Sequence, residues 1–223
     1  MPPTLYQSVA KLEPNPSPES INFNVLKPEP LLIVISGPSG IGKDAVVKEL
    51  QKRDLPLHFV ITATTRPKRS EETHGVDYFF VSTEEFETMI AQDELIEYAE
   101  VYQQYKGVPK AQVRAALQSG KDVIMRLDVQ GAQKIRDLCP QAVLIFLIPT
   151  DTQEWINRLL ARNTETSEDF SLRIETARKE LEYLPIFDYI VLNAHNCLQQ
   201  AVDTIEQIIH TEHHRVVPRK ITL

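Results

Sequence analysis

From residue 31 to about residue 210 the chain alternates short apolar runs with amphipathic stretches. Leu31 to Ser36 is apolar and β-branched, which predicts a buried strand. Ala45-Val-Val-Lys-Glu-Leu50 has helical spacing, and Leu57 to Thr62 predicts a second strand. Tyr78-Phe-Phe-Val81 is a short strand, and Ser82-Thr-Glu-Glu85 opens a helix with a capping box that runs to about Gln92. Leu95 to Tyr102 and Tyr105 to Val108 predict two more strands. Pro109 then begins a helix ending near Gly120. Val123 to Asp128 is a strand, and a helix follows it to Leu138. Ala142 to Ile148 reads as a central strand, with helices from Thr152 to about Arg162 and after Thr166. Tyr189 to Asn193 is the last strand, and residues 197–210 close the pattern as an amphipathic helix. Strand and helix alternate in the core, which predicts an α/β fold of three layers around a parallel central sheet. A section of short strands and two helices interrupts the alternation and predicts an inserted mixed α/β lobe over residues 66–120.

Both ends lack this pattern. Residues 1–28 are rich in Pro, Ser and Asn and read as a disordered tail. They carry Glu13 and Glu19 and no arginine, a poor fit to a transit peptide, so a cytoplasmic location is expected. Residues 211–223 read as a second tail, and His210, His213 and His214 as a solvated helix end. The apolar runs are strand length, which predicts no membrane partner. The net charge of −7 argues against general nucleic-acid binding but leaves room for a nucleotide held by local cations. The two cysteines, Cys139 and Cys197, suggest neither a disulfide framework nor a zinc site.

The densest chemistry lies directly after the first strand. Gly37-Pro-Ser-Gly-Ile-Gly42-Lys43 fills all of G-x-x-x-x-G-K, and strand, glycine loop and helix are the context a phosphate-binding loop requires. Its backbone N–H groups curl toward phosphate oxygens, the helix start adds a positive dipole end, and Lys43 brings a mobile charge. Asp44 stands where Ser or Thr would offer Mg²⁺ a hydroxyl. A carboxylate there suits a hard cation and would also serve as a helix cap. Asp128 ends an apolar strand, where P-loop proteins place an acid toward Mg²⁺. Arg66, Lys68 and Arg69 put three cations within four residues, suited to phosphate. Arg158, Arg162, Arg173 and Arg178 surround the polar break Asn163-Thr-Glu-Thr-Ser-Glu and suit a lid that brings charge when substrates bind.

SGPSGIGK, TATTRPKR, GVDYFFVSTEEF, LIEYAEV, LDVQGAQ, ARNTETSE and FDYIVLN occur in order. Together they resemble the guanylate kinase family, over roughly residues 30–210. The resemblance implies a P-loop NTPase core at 29–210, a GMP-binding lobe at 66–120 and a helical lid at 158–172. It implies transfer of the γ-phosphate of ATP to GMP with Mg²⁺, ATP and GMP being the small-molecule partners. By position, Gly37, Pro38, Ser39, Gly40, Ile41, Gly42 and Lys43 match the ATP phosphate loop, and Asn193 a residue near the adenine. Arg66, Arg69 and Tyr78 match contacts to the GMP phosphate, while Thr62 and Glu97 match contacts to guanine. Arg158, Arg162 and Arg173 match lid and phosphate-clamp arginines, and Asp44 and Asp128 stand at the metal positions.

Four positions depart from the family pattern. Lys106 stands for a tyrosine, Val108 for Ser or Thr, Arg126 for the first acid of LDID, and Asp44 for Ser or Thr. Lys106 would keep a phosphate contact by charge. GKDAV with R-x-D-x-QG resembles the plant organelle type of the family. Two other readings stand beside the kinase: a non-catalytic guanylate-kinase-like binding module, and a P-loop kinase of another small phosphate acceptor.

Overall fold

The computed structural model describes residues 26–101, 104–160 and 167–223. The expected N-terminal tail, Arg162 and most of the polar break before residue 167 lie outside the described residues.

Five strands form a parallel sheet: β1 (Leu32–Ser36), β2 (Leu57–Phe59), β7 (Asp122–Arg126), β8 (Val143–Ile148) and β9 (Tyr189–Leu192), in the order β2-β7-β1-β8-β9. β1 is central, with Ile33 opposite Ile124 on one side and Val143 on the other. Every side chain of β1 is buried because helices cover both faces, which explains an unbroken apolar run rather than an alternating one. Successive residues still point opposite ways. Ile33 and Ile35 pack with α1 (Lys43–Leu50) and α7 (Leu198–His213). Leu32 and Val34 pack with α3 (Lys110–Gln118) and α4 (Val129–Leu138).

The inserted lobe is built on a second sheet, in the order β4-β3-β6-β5. Its strands are β3 (Ala63–Thr64), β4 (Phe79–Phe80), β5 (Leu95–Val101) and β6 (Gln104–Pro109). β5 and β6 pair as an antiparallel hairpin. Helix α2 (Thr83–Ala91) closes this lobe and has the expected capping box, with Ser82 Oγ accepting from Glu85 N–H at 3.1 Å. Phe86 is the fully buried centre of the lobe's own small core.

The run from Leu57 to Thr62 is one strand in the sequence pattern but serves two sheets. β2 stops at Phe59, and the chain crosses to β3. Gln112 of α3 bridges the crossing, accepting from Ile61 N–H at 3.1 Å and donating to Ile61 C=O at 2.9 Å. A side-chain amide thus replaces a neighbouring strand, so the backbone groups stay paired while the chain changes sheets.

The C-terminal end is more structured than its pattern predicts. α7 runs to His213 rather than 210, and His213 Nε2 lies 2.8 Å from Asp122 Oδ2. The other oxygen of Asp122 accepts from Leu31 N–H at 2.8 Å. Arg219 folds back onto the fully buried Glu212 through two nitrogens, at 2.7 and 2.9 Å, and Tyr189 donates its hydroxyl to the same carboxylate at 2.6 Å. Arg219→Ala would leave that buried charge with only the Tyr189 hydroxyl and Arg215 at 3.6 Å, and is expected to lower unfolding free energy in urea by on the order of 2 kcal/mol. Tyr189→Phe is expected to cost about 1 kcal/mol.

Candidate active site

The glycine loop joins β1 to α1 and turns by left-handed backbone. Gly37 has φ 139° and Gly42 φ 96°. A Cβ on Gly37 would lie 2.5 Å from the Leu147 carbonyl oxygen, and one on Gly42 would lie 2.8 Å from Asn193 Nδ2. Gly37 therefore requires glycine on two grounds, backbone conformation and a backbone clash, while at Gly42 the left-handed backbone is the firm one and a Cβ would in addition push on the Asn193 amide. Lys43 opens α1 and is half-buried. Its Nζ donates to Gly37 C=O at 2.5 Å and Pro38 C=O at 3.2 Å. Burial holds its pKa below the usual lysine range, opposed by the carboxylates of Glu180, Asp44 and Asp128. A desolvated cation on loop carbonyls is primed to move onto an arriving phosphate.

The loop is held from outside by α5 (Thr152–Leu160), α6 (Ser167–Leu181) and the residue after β9. Trp155 Nε1–H donates to Ser39 C=O at 2.8 Å, and Arg173 donates to Ser39 Oγ at 2.6 Å. Arg158 and Asn193 both donate to Ile41 C=O, at 3.1 and 2.7 Å. Arg158 also donates to Asn193 C=O at 2.7 Å and pairs with Glu154.

In the inserted lobe, the turn after β3 folds around one carboxylate. Glu72 receives Arg66 through both guanidinium nitrogens, at 2.6 and 2.9 Å, and Arg69 N–H at 2.9 Å. The Arg66 guanidinium carbon lies 5.3 Å from the Tyr78 ring centroid, and that of Arg126 lies 4.9 Å from the same centroid. Burial raises the Tyr78 hydroxyl above its ordinary pKa, so it stays a neutral donor at pH 7.

Glu97, on β5, is 5% exposed. Its Oε2 is buried and has no hydrogen-bond partner. Burial, reinforced by Asp128, pushes its pKa up to about 7. Gly131, in the first turn of α4, makes room for this carboxylate, since a Cβ there would lie 3.1 Å from Oε2. Asp128 caps the same helix, its Oδ1 accepting from Gly131 N–H at 2.8 Å.

A phosphate cradle thus faces a cationic turn, with a buried unpartnered acid below. The family model "Guanylate kinase" matches residues 29–212. The chain belongs to the guanylate kinase family. It is 45% identical to the chloroplastic/mitochondrial guanylate kinase 2 of Oryza sativa subsp. japonica over 197 residues, 88% of this chain and 69% of the relative. It is 43% identical to the guanylate kinase of Halalkalibacterium halodurans, with 84% and 91% of the two chains covered. The crystal structure of guanylate kinase from Anaplasma phagocytophilum superposes with a TM-score of 0.70 at 27% identity, covering 86% of this chain and 90% of that one.

Among the positions the family suggests for GMP, Arg66 lies over the Tyr78 ring, Glu97 is buried near Asp128, and Arg69 is exposed. Thr62 is buried, and its C=O accepts from Phe79 N–H at 2.9 Å where the chain enters the lobe. Lys106 is half-buried on β6, and burial holds its pKa low, with Asp128, Arg126, Arg66 and Asp44 as charged neighbours. Val108 is fully buried and packs with α3 and α4.

Two expectations about acids change. Gly42 caps α1 without any side-chain bond, so Asp44 does not serve as the helix cap. Asp44 instead lies in the first turn and pairs with Arg126 at 2.6 Å. Asp128 acts as a cap as well as a strand-end acid. Arg158, Arg173 and Asn193 are placed on the phosphate loop itself, while Arg162 lies outside the described residues. The pattern also passes over Trp155, Glu72 and Gly131. Trp155 carries a signal, since a lone indole on an amphipathic helix needs a partner for its N–H.

Proposed function

We propose that this chain transfers the γ-phosphate of ATP to GMP, giving ADP and GDP, in purine nucleotide metabolism. The observation that carries this reading is the buried Glu97 Oε2 with no partner. A buried acceptor without a donor is costly, so it implies a ligand that brings one. Guanine offers two adjacent donors, N1–H and the 2-amino group, and adenine has no such pair. Arg66 and Tyr78, which lie against each other, are assigned to the acceptor phosphate, and Arg69 with them. Thr62 is assigned to the guanine side by its match to the family.

The chemistry needs no protein nucleophile. An acceptor phosphate oxygen attacks the γ-phosphorus in line, and the protein contributes position and charge. Loop N–H groups and Lys43 hold the donor phosphates. Arg158 and Asn193 keep Ile41 and the loop in shape, and Arg173 with Trp155 fixes Ser39. Closure of the lobe excludes water, which would otherwise compete as acceptor.

Among the described residues, no group of three or more His, Cys, Asp or Glu forms a dedicated metal cage. Mg²⁺ carried in by phosphates and water needs only one or two protein carboxylates. Asp128, two residues beyond β7, fits that demand and would hold it, whereas Asp44 beside the loop is already engaged by Arg126. When bound, Mg²⁺ supplies charge neutralisation to the phosphates.

The test is ADP formation with GMP, dGMP, AMP, UMP and ribose 5-phosphate as acceptors. GMP and dGMP are expected to serve, and AMP to be on the order of 10³-fold poorer or worse in kcat/KM. Equal use of ribose 5-phosphate would point to another acceptor. Turnover of none, with GMP still bound, would point to a binding module.

A further inference from the structure

Three of the four departures from the family pattern are charged, and the fold gathers them in one place. Asp44 lies one residue beyond the phosphate loop, Arg126 at the end of β7, and Lys106 on β6. Arg126 Nη1 donates to Asp44 Oδ1 at 2.6 Å. The Arg126 side chain is only 19% exposed, while that of Asp44 is 62% exposed. The guanidinium lies against Tyr78, the tyrosine that Arg66 also faces.

The signs of charge at two contacting positions are therefore rearranged together. Where the family has an acid, this chain has a guanidinium; where the family has a hydroxyl, it has a carboxylate. Arg66 is neutralised by Glu72 and Lys106 is faced by Asp128, but without Asp44 the guanidinium of Arg126 would have no carboxylate at bonding distance, a costly half-buried arrangement. Asp44 supplies the counter-charge, but engages only Nη1 of a guanidinium that carries five N–H donors in a fixed fork. A cation held from one side, against the tyrosine that marks the acceptor phosphate position, is suited to grip an anion with the other donors.

We propose that Arg126 is a binding residue for the phosphate of the acceptor nucleotide and that Asp44 is its positioning residue. The inference rests on the guanylate kinase reading of this site. Its consequence is counter to sequence position: a residue adjoining the ATP loop acts on GMP. Lys106 completes the set, a cation where the family places a phenol. Arg66, Arg126, Lys106 and Tyr78 then surround one phosphate dianion with three cations and a neutral donor.

The experiment measures binding of GMP and of guanosine to Arg126→Gln and Asp44→Asn, by calorimetry and by competition, without ATP or Mg²⁺. Steady-state kinetics follow with both substrates. Arg126→Gln is expected to weaken GMP at least tenfold, leaving guanosine and the KM for ATP within twofold. Asp44→Asn is expected to weaken GMP by threefold or more, with the Mg²⁺ concentration for half-maximal activity unchanged. In the double variant, the Asp44 change should add less than twofold, because its effect runs through Arg126. Should Arg126→Gln not fold, Arg126→Lys carries the test, with a threefold or greater loss for GMP alone, because an ammonium cannot reproduce the fork. Unchanged GMP affinity in the Arg126 variants overturns the proposal, as does an equal loss for guanosine. A shifted Mg²⁺ requirement in Asp44→Asn with normal GMP affinity overturns the positioning role and returns Asp44 to the metal. Wild-type protein that neither binds nor phosphorylates GMP would sink the underlying kinase reading instead.

Discussion

Lys43→Ala is expected to lower kcat at least a hundredfold while the thermal midpoint holds or rises. The catalytic half of this prediction follows from charge. Phosphoryl transfer leaves the protein little covalent work, so a fixed cation at the β/γ-phosphates acts mainly on the transition state. The stability half follows from burial. Lys43 is desolvated, and its Nζ rests on two loop carbonyls rather than on a carboxylate at bonding distance. Removing it relieves that desolvation. The loop keeps its shape, since Ser39 and Ile41 are tied down by Trp155, Arg173, Arg158 and Asn193. Stopped-time assays on folded protein, checked by circular dichroism, decide the matter. A folded variant with more than about a tenth of wild-type kcat would remove Lys43 from catalysis, since that loss is under ~1.4 kcal/mol.

The same contacts mark the limit of what a sequence pattern carries. The central strands are legible because burial on both faces writes an unbroken apolar run, as in Leu31 to Ser36. The phosphate loop is legible because its glycines are required by local backbone geometry. β3 is not legible as a separate strand: two residues hold no period, and Ala63–Thr64 merge into the run before them. Glu72 is one polar residue in a polar turn until the chain closes on it and Arg66 arrives with both nitrogens. Asp44 and Arg126 each stand out as departures. Nothing local says that two residues 82 apart in sequence touch. Arg158, Arg173 and Asn193 are legible as residues near ATP. Their hold on the loop's own carbonyls and hydroxyl depends on how α5, α6 and β9 converge, which no spacing encodes.

Glu97→Gln is expected to trade base recognition for stability, with opposite signs that can be measured on one protein. The carboxylate is buried, one oxygen has no partner, and its pKa is pushed up to about 7. The ordinary value of 4.5 applies when the chain is unfolded. Between those two values the native state holds a proton that the unfolded state has released. Stability therefore falls as pH rises from about 5 to about 7, and the penalty is fully present above that window. Its ceiling is on the order of 3 kcal/mol. Glutamine removes the charge, so the variant should unfold later than wild type at pH 8, with the gap closing toward pH 4.5. Recognition runs the other way. Guanine donors favour the ionised acid, so GMP binding near pH 7 should release protons, and wild-type affinity should weaken as pH falls below 7. The amide offers one acceptor where the carboxylate offers two. Discrimination for GMP over AMP in kcat/KM should drop at least tenfold in the variant, and its affinity for guanosine, which lacks the phosphate that itself titrates at about pH 6, should no longer depend on pH across this range. A variant as selective as wild type, or no more stable at pH 8, would mean that the Glu97 charge is already satisfied and does not read the base.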